Sequence, residues 1–391
     1  MVGGAGFSLS ILEVPVDSNL LLETKGLTTR RKSVFNFDAR SAFQHSFNGS
    51  LAMKIMLTRL VPAAVILLAL PILSVNAGGK AFPKIVPALE GAPPEGFTIG
   101  KGHTAYNGSI DGSIYKVNLR NGEGEVLVEA EPDFDVFAGD CYKLGMRVDR
   151  RSNYLFVAGC INGDAYVFDA DTGEEIMKYQ LAPQFESIIN DIAITKDVVY
   201  FTDFGQPFIY SLPLTKNGRI PGSEDAATAI PLTGDFESCL TLIDRFANGI
   251  VATPDGKTLI IGHSGCSKIF KVDPTTGHAD EIMVDPPLSG LMDGSFLDGI
   301  VWYDGILFIL SPGETAAGDI VQVVVLDEDM LTGTLVGTIT DPDMDGVASG
   351  AMHGDSLYVN NARYNDFPGC LPDPDGCTEY WVTKLSIYDV Q

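Results

Sequence analysis

The chain has 391 residues, of which 42 are glycine and 20% are charged, and its formal net charge is -25. The strong acidity argues against nucleic-acid phosphate as a partner, because the two surfaces would repel each other. Abundant glycine, sparse charge and the absence of helical heptads in the sequence favour an all-β protein that is rich in turns, with room for a large core.

Residues 53–77 have the composition of a secretory signal peptide. Lys54 and Arg59 form a basic start, residues 60–75 are apolar, and a small-residue cleavage site ends at Ala77. The apolar run has 16 residues and includes two prolines, whereas about 20 residues span a bilayer. We therefore expect cleavage, a secreted or secretory-pathway location and no stable membrane span.

Residues 1–52 precede this segment, although a signal peptide normally begins at the amino terminus. Two interpretations are open: translation starts at Met53 or Met56, or the upstream piece turns the signal into an anchor. The first is favoured. Residues 1–52 are then an upstream extension, and residues 78–391 are the mature chain.

After this leader the chain repeats one phrase at intervals of 46 to 58 residues. The clearest copy, residues 248–262, contains a buried strand, a Pro-Asp-Gly turn and a second buried strand. A third β-rich run follows each pair, and several copies show a fourth. Such repeats of about 40–50 residues are typical of β-propellers. The first strands of the six copies start at Glu95, Leu144, Asn190, Asn248, Asp298 and Ser349.

The sixth copy ends after its third strand, residues 381–388, and has no fourth. The segment 82–89 lies before the first copy and could supply that strand, which would close the ring and remove an open edge. We therefore predict an all-β fold: one six-bladed propeller over residues 78–391, with four-stranded blades.

All six cysteines follow the leader, and an even number in a secreted chain predicts disulfides. A hairpin centred on residues 149–152 brings one pair together, a Pro/Asp/Gly loop is bracketed by a second, and the third follows by elimination. None of the pairs has the CxxC spacing of a zinc site. The predicted pairs are, in that order, Cys141–Cys160, Cys370–Cys377 and Cys239–Cys266.

The first residues of the inner strands should converge around the propeller axis at one face. Four of the six carry side-chain oxygens, two carboxylates and two carboxamides, which suit the six to eight oxygen ligands of calcium. A single Asn-Gly or Asp-Gly is more often a turn, but four at one repeat phase predict a cation site. Small or polar residues follow them, which we expect to leave room at the mouth. The predicted ligands are Glu95, Asn190, Asn248 and Asp298.

These phrases resemble a known family over about residues 90–390. The matching phrases are Pro94-Glu95-Gly96-Phe97, Ile189-Asn190-Asp191-Ile192-Ala193, Ala247-Asn248-Gly249-Ile250 and Leu297-Asp298-Gly299-Ile300. They are similar to the gluconolactonase, regucalcin (senescence marker protein) and luciferin-regenerating-enzyme family. The phrases Gly145-Met146-Arg147-Val148-Asp149-Arg150 and Asn190-Asp191-Ile192-Ala193-Ile194-Thr195 look closer to a secreted branch of that family than to its lactonases. In that family a glutamate, two asparagines and an aspartate hold one divalent metal at the mouth of a six-bladed propeller. The resemblance implies the same four ligands here, with Asp191 as an alternative to Asn190.

The resemblance also implies a metal-dependent hydrolase of a small-molecule lactone or ester. The metal would polarise the carbonyl, and Asp298 would act both as a ligand and as the base for the attacking water. Asp191, His103 and His353 are substrate-side candidates. Calcium is the expected metal, although zinc and manganese also accept such oxygens. The alternative is a non-catalytic calcium-binding propeller that binds a protein or a carbohydrate.

Asn107-Gly108-Ser109 is a glycosylation sequon. In a secreted chain it makes Asn107 a candidate for glycosylation.

Overall fold

The computed structural model describes residues 81–88, 93–135, 138–239, 246–290, 294–313, 318–363 and 379–391, all within one compact unit, Ala69–Gln391. These residues form a six-bladed β-propeller with four-stranded blades, as the repeat predicted. One short 3-10 helix, Lys216–Gly218, lies in the third blade.

Each blade is built on antiparallel strands that follow one another along the chain, except that the fourth strand of the sixth blade comes from the amino-terminal segment. The strand β1 (Ile85–Pro87) precedes the first blade. The first three blades are β2 (Pro94–Ile99), β3 (Thr104–Ser109), β4 (Ile114–Asn118) and β5 (Gly124–Val128); β6 (Met146–Asp149), β7 (Tyr154–Ala158), β8 (Asp164–Asp169) and β9 (Glu175–Gln180); and β10 (Ile189–Ile194), β11 (Val198–Asp203), β12 (Phe208–Pro213) and β13 (Thr228–Pro231).

The fourth and fifth blades each gain a short parallel outer strand, β14 (Thr233–Gly234) and β19 (Met283–Asp285). Their remaining strands are β15 (Ala247–Ala252), β16 (Leu259–His263), β17 (Lys268–Val272) and β18 (His278–Glu281), then β20 (Ile300–Tyr303), β21 (Ile306–Ser311), β22 (Ile320–Leu326) and β23 (Thr332–Ile339).

The sixth blade has three strands from the carboxyl-terminal part of the chain: β24 (Val347–His353), β25 (Ser356–Asn361) and β26 (Trp381–Ser386). Its outer strand is β1, which pairs antiparallel with β26, with Val86 opposite Val382. The predicted use of the amino-terminal segment as a strand of this blade is therefore observed. That this pairing is what closes the ring stays a prediction.

The hydrophobic core lies between neighbouring blades. The second strands are the most buried, and every residue of β21 is buried. Phe156, Phe201 and Phe308 have no exposed surface. Strands covered on both faces need such apolar runs, which explains why periodicity in the sequence located them.

A β-bulge lies at the start of every inner strand or directly before it, where two residues face one residue of the second strand. In blade two, for example, Leu144 N donates to Ala158 O and Ala158 N donates to Gly145 O, both over 2.9 Å. The bulge pairs are Glu95-Gly96, Leu144-Gly145, Asn190-Asp191, Asn248-Gly249, Asp298-Gly299 and Ala348-Ser349. They face Gly108, Ala158, Thr202, Gly262, Leu310 and Asn360.

The bulges correct the alignment of the sixth copy by one residue. The sequence placed Ser349 beside the four predicted ligands because Ser349-Gly350 looks like Asn-Gly. Gly350, however, pairs with Val359 beyond the bulge, so Ala348 is the equivalent of Asn248, and Ser349 takes the place of Gly249. Ala348 has no side-chain oxygen, and blade six contributes no ligand from this position.

Two of the three predicted disulfides are confirmed: Cys141–Cys160 and Cys239–Cys266. The third predicted pair, Cys370 and Cys377, lies outside the described residues, as do the upstream extension 1–52 and the predicted signal peptide 53–77.

Candidate metal centre at the propeller mouth

The bulges are where adjacent inner strands contact one another. In three blades, the N–H of the bulge glycine donates to the carbonyl of the next blade's first bulge residue. These bonds are Gly145 N to Asn190 O (2.7 Å), Gly249 N to Asp298 O (3.2 Å) and Gly299 N to Ala348 O (2.9 Å). They form part of a ring of main-chain contacts around the axis.

Blades three and six have no glycine at the second bulge position, and a side chain replaces this bond. In blade three, Asp191 N donates to Thr202 Oγ1 (2.9 Å), and that hydroxyl donates to Asn248 O of blade four (2.8 Å). In blade six, Ser349 N donates to Asn360 Oδ1 (2.7 Å), and Asn360 Nδ2 donates to Glu95 O of blade one (3.0 Å). The opposing side chain thus relays the contact to the next blade.

The bulge glycines therefore serve the contact between blades. A Cβ added to Gly249 would stand 2.4 Å from Asp298 O, and one added to Gly145 would stand 2.5 Å from Asn190 O. The expectation that these glycines leave room at the mouth was wrong, because the space beside them is filled by the neighbouring backbone.

The structure brings Glu95, Asn190, Asn248 and Asp298 to the same bulge position of four blades. The carbonyl oxygen of each accepts a hydrogen bond from the preceding blade. Their main-chain oxygens are thus engaged, and a cation at this ring would rely on the side chains. Asn248 and Asp298 are 3% and 6% exposed, whereas Glu95 and Asn190 are half-buried.

The side-chain amide of Asn248 is held in one orientation. Ser264 Oγ donates its hydrogen to Leu297 O, so it accepts from Asn248 Nδ2 (3.1 Å). The amide nitrogen of Asn248 is therefore committed to Ser264, and Oδ1 lies on the other side of the amide group. This is the orientation that leaves a carboxamide oxygen for a ligand.

Asp191 is used inside the fold. Its Oδ2 accepts from Ile250 N (3.2 Å) and lies 3.5 Å from Arg147 Nη2, and its Oδ1 is buried against Gly145. Burial raises the pKa of this carboxyl, and the charge of Arg147 counteracts part of that rise. Through these contacts Asp191, which is 4% exposed, joins blades two, three and four; a substrate-side role for it stays a prediction.

His103 and His353 lie at the opposite face. His353 is the last residue of β24, five residues beyond Ala348, or about 16 Å along an extended strand. His103 precedes β3, and its Nδ1 lies 2.9 Å from His353 Nε2 beside the ring of Phe82. Burial and the nearby His103 lower the pKa of His353. This cluster packs the amino-terminal segment onto blades one and six, away from the bulge ring, and a substrate-side role for these histidines stays a prediction.

The sequon asparagine is also internal. Asn107 has no exposed surface, and its Oδ1 accepts from Asn360 Nδ2 (3.2 Å). A glycan on Asn107 does not fit the folded structure, because this amide nitrogen is enclosed between blades one and six.

Two cavities accompany the ring. Beyond the bulges, inner-strand residues line a cavity of about 340 Å³ in the central channel, and among the described residues that line it Arg147 alone is charged. A groove of about 540 Å³ lies on the mouth face between the loops 181–187 and 204–207, and Phe185 on its edge is 71% exposed. The mouth face thus presents apolar surface as well as oxygens.

Sequence reasoning missed the side chains that hold the ring together, namely Thr202, Asn360, Ser264 and Arg147. A signal existed for the first two. Both are polar at the position where the other second strands have glycine, alanine or leucine, and both occur in the blades that lack the bulge glycine.

No protein-family model and no curated protein matches the chain. Solved structures do: the major allergen Mala s 1 of Malassezia sympodialis, with a TM-score of 0.51 and 13% identity, matches 78% of this chain and 96% of its own. A luciferin-regenerating enzyme gives a TM-score of 0.50 and 14% identity, with 78% and 95% covered. Regucalcin from Agrobacterium tumefaciens gives 0.49 and 16%, with the same coverage. At these identities the likeness establishes the propeller fold alone.

In the part of the chain that the structure describes, no helix is long and apolar enough to cross a membrane. The two disulfides are consistent with an oxidising compartment.

Proposed function

We propose that this protein is a secreted, metal-dependent hydrolase of a lactone or ester. The observation that carries the proposal is the set of four oxygen-bearing side chains at equivalent bulge positions, on residues whose carbonyls are already engaged. The ligands would be Glu95, Asn190, Asn248 and Asp298. Two carboxylates and two carboxamides form a donor set for a hard cation, and calcium is the expected one.

The local contacts fit such an ion. The commitment of Asn248 Nδ2 to Ser264 leaves the amide oxygen for a ligand. Glu95 and Asn190 are partly exposed, so one side of the ring opens to water and substrate. The charge of Asp191 is already compensated by Arg147, so a divalent cation at the ring would be balanced by the carboxylates that bind it, Glu95 and Asp298.

In the proposed reaction, the bound cation, Asp298 and the apolar groove have different roles. When bound, the cation supplies Lewis-acid polarisation of the substrate carbonyl. Asp298 would take the proton of the attacking water, because a carboxylate that binds the cation also lies beside a water held there. The apolar groove on the same face offers surface for the rest of the substrate.

The test is elemental analysis of the purified mature protein, combined with hydrolysis assays on a lactone and ester panel with and without chelator. The variant Asp298→Asn removes the base and one charge, and should lower turnover at least about 100-fold and weaken cation binding. Asp304→Asn is the matched control, because it makes the same change at an exposed residue of blade five. Unchanged hydrolysis by Asp298→Asn would refute the catalytic role of Asp298.

The same assays distinguish the hydrolase from the alternative, a calcium-binding propeller without catalytic activity. Tight calcium binding that depends on Asp298, with no turnover of any substrate in the panel, would identify a calcium-binding propeller without hydrolase activity.

A further inference from the structure

Blade four contains a cluster of sulfur and nitrogen ligands away from the ring of oxygens. Both Sγ atoms of the Cys239–Cys266 disulfide and one ring nitrogen of His263 lie within 4.8 Å of one another. His263 ends β16, and Cys266 follows three residues later in the turn before β17. One tight turn thus supplies two of the three groups.

His263 is unusual among the residues that end the second strands. The equivalent residues Ser109, Asp203 and Asn361 all hold backbone groups: Ser109 Oγ donates to Pro93 O, Asp203 accepts from Ile188 N and Gly205 N, and Asn361 Nδ2 donates to Trp381 O. His263 is 1% exposed, and its Nδ1 has no partner among the described residues. The fold therefore buries an imidazole without using this nitrogen.

The surroundings hold this imidazole in place and keep it neutral. Phe236, Phe246 and Phe270 pack around it with ring centroids 4.8, 5.8 and 6.3 Å away. Burial lowers the pKa of His263 from 6.5 to about 4. A neutral imidazole is the form that binds metals. The two cysteines are only partly buried, whereas His263 is buried.

We propose that reduction of the Cys239–Cys266 disulfide converts this cluster into a zinc site with two cysteine ligands and one histidine ligand. An external dithiol supplies two electrons and becomes a disulfide, while its two protons pass to the cysteine sulfurs. Zinc binding then releases both protons, because thiolate is the ligand form. Two thiolates and one imidazole are a soft donor set that suits zinc, and a fourth position remains for water or an added ligand.

The experiment uses the mature protein, reduced with a dithiol, desalted without oxygen and titrated with cobalt(II) as a spectroscopic substitute for zinc. The reduced protein should show thiolate-to-cobalt absorption at one equivalent per chain, which zinc abolishes, and the oxidised protein should show none. Circular dichroism shows whether the reduced protein is folded. In either case, the absence of this absorption from the reduced protein overturns the proposal.

Paired serine variants identify the ligands. Cys239→Ser with Cys266→Ser should remove the absorption, whereas Cys141→Ser with Cys160→Ser, and Cys370→Ser with Cys377→Ser, should keep it. His263→Phe retains an aromatic ring and should raise the apparent dissociation constant by roughly tenfold or more. Retention of the signal without Cys239 and Cys266, or an unchanged constant in His263→Phe, would overturn the assignment. Asp298→Asn should leave the absorption unchanged, so the result does not depend on the proposed hydrolase site.

Discussion

Blades three and six join the next blade through a side chain, whereas blades two, four and five do so through the N–H of a glycine. In blade four, Gly249 N reaches Asp298 O directly. In blade three, Thr202 Oγ1 accepts from Asp191 N and donates to Asn248 O. Both arrangements give the next blade's carbonyl a donor, because a buried backbone oxygen without one is costly.

This difference shows how the sequence at the bulge can vary from blade to blade while the hydrogen bonds between adjacent blades are kept. A residue with a side chain at the second bulge position prevents direct contact, and a polar residue on the opposing strand compensates. Asp191 and Ser349 are therefore accompanied by Thr202 and Asn360. The charge of Asp191 has a structural use in its contacts to Ile250 and Arg147.

The largest expected effect comes from giving a glycine blade a side chain without the compensating partner. In Gly249→Ala, the new Cβ would stand 2.4 Å from Asp298 O and 2.7 Å from Ile300 N. Overpacking and loss of the bond between blades should lower the free energy of unfolding by about 4 kcal/mol, measured by chemical denaturation. Gly222→Ala is the control, since nothing lies within 4 Å of its added Cβ. Equal stability of the two variants would contradict the role given to the bulge glycines.

The second prediction concerns His263 in blade four, which stands where blade six has Asn361. The pKa of His263 is about 4 in the folded state and 6.5 in the unfolded state, so the unfolded chain binds more protons between these values. Stability should therefore fall as the pH falls from 6.5 to 4. The loss should be about 3 kcal/mol relative to His263→Phe, measured by denaturation at several pH values. The exposed His278→Gln should follow the wild type, and parallel curves for wild type and His263→Phe would rule out this titration.

The smallest of the three effects concerns the relay itself. Thr202→Val keeps the shape of the side chain but removes the hydroxyl that serves Asp191 N and Asn248 O. Two buried backbone groups lose their partner, which should reduce the unfolding free energy by about 2 kcal/mol. Thr202→Ser retains the hydroxyl and should recover most of the bond. If the Val variant is as stable as the Ser variant, the hydroxyl does not carry the contact between blades three and four.

Prediction from sequence succeeded where a feature is repeated or local. The spacing of inner strands located six blades, and the hairpin at residues 149–152 brought Cys141 to Cys160. It failed where the position of a residue depends on how its strand pairs with the neighbouring strand. Ser349-Gly350 resembles the polar-glycine phrase of the other copies, and only its pairing with β25 shows that the bulge lies one residue earlier.

Asn107, His103 and His353 illustrate the same limit. Their residue types suggested a glycan site and acid/base groups, yet Asn107 lies between blades, His353 ends β24 and His103 lies in the turn before β3. The sequence shows along which strand a residue lies, but it does not show which residues of the adjacent blade surround its side chain. That information comes from the packing of blades one and six, which are about 250 residues apart in sequence.

The sequence by itself determined the all-β class, the six copies, the use of the amino-terminal segment in the last blade and the placement of four oxygen-bearing residues at one repeat phase. These follow from periodicity and from burial of strands on both faces, which leave a pattern in the chain. Only the tertiary structure decided the position of each bulge, the relays through Thr202 and Asn360, the orientation of the Asn248 amide and the isolation of His263 beside a disulfide. Each of these depends on contacts between blades, where a donor or acceptor is satisfied by a residue that the sequence places far away.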